Sequence, residues 1–149
     1  HVQLIQNLLL KEGLKNCGAI GDEKIKSHIL KSSIFAVAKS GTISLEICNA
    51  KIPSLIIYKM GIINFLIVKM LVKVKYANII NIAAKEEIIP ELLQSDCNPS
   101  NIFKNVEKLL NDNTALQSQI SKTQNIIKNF RTENSSKIAN SVLIHYLGN

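Results

Sequence analysis

Two largely apolar runs of strand length, residues 34–38 (IFAVA) and 52–58 (IPSLIIY), constrain this chain more than any other feature. A strand with one solvated face alternates polar and apolar residues. A strand that is apolar throughout has to be covered on both faces. Between the two runs, residues 43–50 (ISLEICNA) carry a helical pattern, and Asp22 can cap a helix running to about Lys31. Strands separated by helices imply a parallel sheet, because parallel neighbours need a crossover between them. Further upstream, residues 8–15 read as a short helix ending near Asn16, and residues 17–20 as a weak strand. The expected fold class is α/β.

The pattern changes towards the carboxyl end. Asn98-Pro99 is a helix start, with Asn as N-cap and Pro at the first helical position. Ile102, Val106, Leu109 and Leu110 then hold one face. Thr114 opens a second helix with a stripe of Leu116, Ile120, Ile127 and Phe130. Ser135 or Ser136 opens a third, with Ile138, Val142 and Tyr146 on one side. The expected division is therefore a sheet domain over residues 1–98 and an all-helical tail over 99–149. Residues 61–74 (GIINFLIVKMLVKV) are apolar nearly all round, with Lys69 and Lys73 one turn apart. The lysines leave no run long enough to span a bilayer. Two readings stay open: a buried or subunit-packing helix, which would make a homo-oligomer, or a helix lying in a membrane interface with its lysines at the headgroups.

The junction after the first apolar run is where chemistry is expected. Ser40-Gly41-Thr42 links a strand to a helix, so unpaired backbone N–H groups face outward at the carboxyl end of the strand. Such groups favour an anion, Gly41 permits close approach, and Ser40 and Thr42 bring hydroxyls. Glu46 lies one helical turn beyond Thr42 on the same face, where a carboxylate can accept from vicinal hydroxyls such as those of a ribose. No G-K-[ST] follows and no G-x-G-x-x-G is present. The residues alone support an anion site suited to a nucleotide.

Other classes are disfavoured. The net charge of +7 suits an anionic partner, but Arg131 is the only arginine and there is no Trp. A nucleic-acid surface relies on arginine forks and stacking aromatics, so no nucleic-acid partner is expected; an anionic membrane surface or small anion fits better. Asp22, Asp96 and Asp112 are isolated, so neither a D-x-D metal clamp nor another metal site is expected, and no cofactor is implied. Cys17, Cys48 and Cys97 are odd in number and far apart, which reads as reduced thiols in a cytosolic protein. The amino terminus, HVQLIQNLLLKEG, has no basic n-region and no initiator Met, so it reads as part of a fragment or processed piece and not as a signal peptide. Glu86 and Glu87 are adjacent, point differently, and read as solvated.

Three segments, AKSGTISLE, AKIPSLIIYKM and LVKVKYANIINIAAKEEIIPELLQSDCNP, fall in the order and spacing of one family. The chain resembles the lipid A disaccharide synthases over about residues 34–99, and more loosely through the tail. The resemblance implies the Rossmann-like, carboxyl-terminal half of a GT-B glycosyltransferase. Such enzymes transfer a diacylated glucosamine from UDP to a diacylglucosamine 1-phosphate, forming a β-1,6 linkage. Carried over by position, Ser40, Gly41 and Thr42 would hold the UDP diphosphate, with Glu46 near the ribose. Asn81 would be catalytic, and Tyr58 and Lys59 would be further UDP-binding residues. The implied partners are the UDP-activated diacylglucosamine, a lipid acceptor, an anionic membrane surface and the missing amino-terminal half, which would carry the general base. The implied location is cytoplasmic, peripheral on the inner membrane. The sequence departs from the family at Ile80, where Pro is usual, and at Lys85, where Gly is usual. Two alternatives stay open: another UDP-sugar-dependent GT-B enzyme with a lipid acceptor, or an inactive truncated remnant that still binds.

Overall fold

A computed structural model describes residues 1–61 and 75–132, divided into two compact units, His1–Ser33 and Ile34–Asn149. The apolar run expected to be a packing or interfacial helix lies, from residue 62 on, outside the described residues. So does the third tail helix. Among the described residues, no helix is long and apolar enough to cross a membrane.

The first unit has two helices, α1 (Val2–Lys11) and α2 (Glu23–Ser32). The expected helix over 8–15 is displaced towards the amino terminus, and Gly13 is the reason. It takes φ of +70°, its N–H donates to Leu10 O at 3.1 Å, and the Leu14 N–H donates to Leu9 O at 2.9 Å. This paired left-handed closure satisfies the last carbonyls and stops the helix short of Lys15. The strand expected over 17–20 does not form; the Ala19 N–H donates instead to the Gln6 side chain at 3.0 Å. Asp22 does cap α2, accepting from the N–H groups of Lys24 at 2.8 Å and Ile25 at 3.0 Å.

The second unit is built on a parallel sheet of β1 (Ala36–Lys39), β2 (Ser54–Tyr58) and β3 (Glu91–Leu93), in the order β1-β2-β3. Ala38 pairs with Ile56, and Ile56 with Glu91, so the three strands are level at the middle of β2. Central β2 is covered on both faces, with Leu55 and Ile56 fully buried, as its largely apolar sequence demands, whereas edge strand β1 is not, with Val37 45% exposed. The α/β, Rossmann-like fold class is therefore correct. No apolar run announces β3, which has three residues, all half-buried. Its start is set by Pro90, which has no N–H to place and whose carbonyl accepts the Ile56 N–H at 2.9 Å.

Four helices complete the described part of this unit: α3 (Ile43–Asn49), α4 (Ile79–Ala84), α5 (Pro99–Leu110) and α6 (Asn113–Thr132). Asn98 caps α5 through the Asn101 N–H at 2.9 Å, with Pro99 in the first turn, as its sequence requires. Asp112 caps α6 through the Ala115 N–H at 2.9 Å, so that helix starts just before Thr114. Helix α6 packs on α3, α4 and α5.

Its buried face differs from the expected apolar stripe. Ile127 is buried, but Phe130 is 43% exposed, and the centre of the face is Gln119 and Thr123. The first residue of β2, Ser54, is buried and needs hydrogen-bond partners. Gln119 supplies both: its Oε1 accepts the Ser54 N–H at 2.6 Å and its Nε2 donates to Ser54 O at 3.1 Å. Gln124 Nε2 donates to Cys48 O near the end of α3. Gln119→Leu keeps the volume but orphans both Ser54 groups, and is expected to cost about 2–4 kcal/mol. Urea unfolding monitored by circular dichroism reads this as a lower midpoint at unchanged slope.

Candidate functional site

The carboxyl end of β1 runs directly into Ser40-Gly41-Thr42 and then α3. Gly41 has φ of +156°, and a Cβ placed there would meet nothing within 4 Å, so the turn is open on its glycine side. Thr42 begins the helix without a side-chain cap. The Ser44 hydroxyl donates to Gly41 O at 2.6 Å and so caps none of the N–H groups at this end. None of the hydrogen bonds among the described residues uses the N–H of Gly41, Thr42 or Ile43. Thr42 and Glu46 are both exposed, with the Glu46 N–H directed at Thr42 O at 3.4 Å. The expected shared face of these two residues is present.

Ser40 is placed differently from its neighbours. It is half-buried, and its hydroxyl donates to Ala77 O at 2.8 Å. Carbonyl oxygens only accept, so the hydroxyl proton is committed to Ala77. Ser40 therefore fastens the turn to the segment that leads into α4.

At the end of β2, Tyr58 is half-buried and Lys59 exposed. The Lys39 ammonium sits 5.3 Å from the Tyr58 ring centroid, a cation–π distance. Gln94, at φ of +51°, closes the strand exit: its N–H donates to Tyr58 O at 2.9 Å and its Oε1 accepts the Met60 N–H at 2.9 Å. Lys39 directly precedes the Ser-Gly-Thr turn, and that adjacency was its only sequence signal. Gln94 had none.

Asn81 is fully buried, and every hydrogen-bonding capacity of its amide is in use. Oδ1 accepts the N–H groups of Ile88 and Ile89, both at 2.9 Å. Nδ2 donates to Ile89 O and to Glu91 Oε1, both at 2.7 Å. An amide so engaged has no lone pair or N–H left for a substrate. Its observable work is to fold the 85–91 loop back onto α4. Lys85 lies in that loop as the C-cap of α4, with φ of 57°. This left-handed conformation explains why glycine suits the position; a lysine there costs roughly 1 kcal/mol.

The adjacent carboxylates are not simply solvated. Glu86 pairs with Lys122 at 3.1 Å, with both side chains about half exposed, and Glu87 Oε1 accepts the Glu91 N–H at 3.3 Å. The half-screened ion pair adds little stability. Burial pushes the Cys48 thiol up to about 11, partly offset by a hydrogen bond with the Thr123 side chain, so the thiol is protonated and inert at neutral pH.

This arrangement of strand, open turn and fastened loop coincides with a family match. The family model for lipid-A-disaccharide synthetase matches residues 3–144. The chain belongs to the lipid-A-disaccharide synthetase family. The family's lipid-A-disaccharide synthase from Rickettsia canadensis is 37% identical over 120 residues, covering 80% of this chain and 31% of that protein. The Rickettsia felis synthase is 33% identical over 135 residues, covering 91% of this chain and 34% of its own. That of Rhodospirillum centenum is 36% identical over 95 residues, covering 64% of this chain and 24% of its own. The chain thus spans about a third or less of the length of these relatives.

Asn81→Ala is expected to leave the N–H groups of Ile88 and Ile89 without their acceptor and to cost about 3 kcal/mol. Asn81→Asp keeps that acceptor but sets a carboxylate against Ile89 O and Glu91, so it too destabilises. Denaturant midpoints check both. A wild-type midpoint for either variant would show that the amide does not hold the loop.

Proposed function

We propose that this chain is the donor-binding part of a lipid A disaccharide synthase. The whole enzyme would transfer a diacylated glucosamine from UDP to a diacylglucosamine 1-phosphate, giving the β-1,6 disaccharide with inversion. The observation that carries the reading is the open Ser-Gly-Thr turn at the carboxyl end of β1, whose Gly41, Thr42 and Ile43 N–H groups have no acceptor among the described residues. Family membership supplies the substrate class.

In this reading the turn's N–H groups and the Thr42 hydroxyl bind the UDP diphosphate. They stabilise the charge that grows as the glycosidic bond to UDP breaks, because donors already in place need no reorganisation. Glu46, one turn along the exposed face of α3, accepts from the ribose hydroxyls. Tyr58 and Lys59 flank the nucleotide at the end of β2. Ser40 and Asn81 serve by holding the walls of the site. A general base in the missing amino-terminal half activates the acceptor hydroxyl. Donor and acceptor both carry acyl chains, so in this reading the reaction takes place at a membrane surface, proposed as the cytoplasmic face of the inner membrane, and a net charge of +7 favours an anionic surface.

Calorimetric titration with UDP tests the site. Thr42→Ala is expected to lose about 1 kcal/mol, because backbone groups carry most of the contact. Gly41→Val is expected to abolish binding, since its side chain fills the open approach and strains the backbone. Equal UDP affinity for wild type and Gly41→Val would overturn the assignment. The chain alone is expected to form no disaccharide, because near-attack geometry needs both halves of the cleft. Adding a separately expressed amino-terminal half is the matching test for turnover.

A further inference from the structure

Glu91 has no place in the readings above, yet its carboxylate accepts from three donors. Its Oε2 accepts the Ala77 N–H at 2.7 Å. Its Oε1 accepts the Asn78 N–H at 3.0 Å and Asn81 Nδ2 at 2.7 Å. Two of these donors belong to the segment that Ser40 fastens. The Ala77 carbonyl, which accepts from Ser40 at 2.8 Å, and the Asn78 N–H, which donates to Glu91, are the two polar ends of one peptide group.

A trans peptide points its C=O and N–H in opposite directions. The bonds therefore form a single directed chain: Ser40 O–H to the Ala77–Asn78 peptide, and that peptide to the Glu91 carboxylate. Each bond polarises the next in the same sense, and the chain ends on a negative charge. We propose that Glu91 is a positioning residue for the Ser-Gly-Thr anion site. Acting through the Ala77–Asn78 peptide, it holds the Ser40 hydroxyl as a donor to Ala77 and so fixes the first residue of the turn.

The consequence differs from the family-derived expectation that Ser40 contacts the diphosphate. With its proton committed to Ala77, Ser40 presents only lone pairs, and the phosphate oxygens are left to the backbone N–H groups and Thr42. A carboxylate near an anion site would ordinarily repel the ligand. Here its charge is taken up by three N–H donors, which leaves it a clamp.

Asn78 adds a local contact to the same segment, accepting the Ile80 N–H on Oδ1 at 2.8 Å as the cap of α4. Among the described residues its buried Nδ2 meets no acceptor.

The proposal rests on the UDP reading for its ligand, and the test keeps the two separable. UDP is titrated into the 149-residue chain as wild type, Ser40→Ala, Glu91→Gln and the double variant. Glu91→Gln removes the negative charge on which the chain ends and sets an N–H2 against at least one of its three N–H donors, with little change in shape. Each single variant is expected to weaken UDP binding about tenfold, and the double variant no more than Glu91→Gln alone, because both act through one peptide. Multiplying effects would mean that Ser40 touches the nucleotide itself, which overturns the proposal. A lower denaturant midpoint with unchanged UDP affinity would make Glu91 merely structural, and overturns it equally. Amide resonances of Gly41 and Thr42 are expected to move in Glu91→Gln while that of Leu55 stays. If wild type binds no UDP, the function reading fails and these resonances decide the coupling alone; unmoved Gly41 and Thr42 signals would sink it.

Discussion

The Asn81 amide is the contact on which the second unit turns. A short helix such as α4, followed at once by a loop and a three-residue strand, has little hydrophobic area with which to define its path. Four hydrogen bonds from one buried side chain define it instead: two N–H groups and one carbonyl of the loop, and the carboxylate that opens β3. With the loop tied, Glu91 comes level with Ile56 and β3 can pair. With Glu91 in place, the 77–78 segment is held, and with it the turn after β1. Fold and site share this one polar cluster. Mutations within it are therefore expected to couple, whereas distant core substitutions should add independently.

The other end of the sheet is finished by the tail. Gln119 takes both backbone groups of Ser54, and Gln124 takes the carbonyl of Cys48. Buried glutamines are tolerated only where their amides are matched, and the first residue of a buried parallel strand offers such a match. Helix α6 is thus a structural part of the sheet layer, and its contacts with α3 and α4 put it beneath the same helices that frame the site.

What could be read from sequence divides along physical lines. Apolar continuity made β1 and β2 legible, although only central β2 is covered on both faces and Val37 of β1 stays 45% exposed. Asp22 and the Asn98-Pro99 pair were legible because capping is local and needs few partners. The strand-to-helix turn at Ser40–Thr42 was legible because it, too, is set by neighbouring residues. Gly13 was present to be read, but an apolar pattern running past it concealed the stop. Strand β3, Gln94, Gln119 and Glu91 were not legible. Each acquires its role from a backbone group far away in the chain, and a polar side chain seeking such a group looks no different from a solvated one. Asn81 was singled out by resemblance, yet resemblance did not convey that its hydrogen bonds point inward.

The pairing of Ser54 with Gln119 spans 65 residues, and that of Cys48 with Gln124 spans 76. On a chain made from the amino terminus, β1, α3 and β2 leave the ribosome well before their last partners exist. The start of β2 then waits with a bare N–H and C=O, and α3 waits with an unanswered carbonyl. Contacts so distant carry the larger loop-closure entropy and close late. The order of events should therefore run from a loose strand–helix–strand core to a final locking by α6. A chain released before Gln119 would keep every residue of the turn and lack the latch that holds the sheet beneath it.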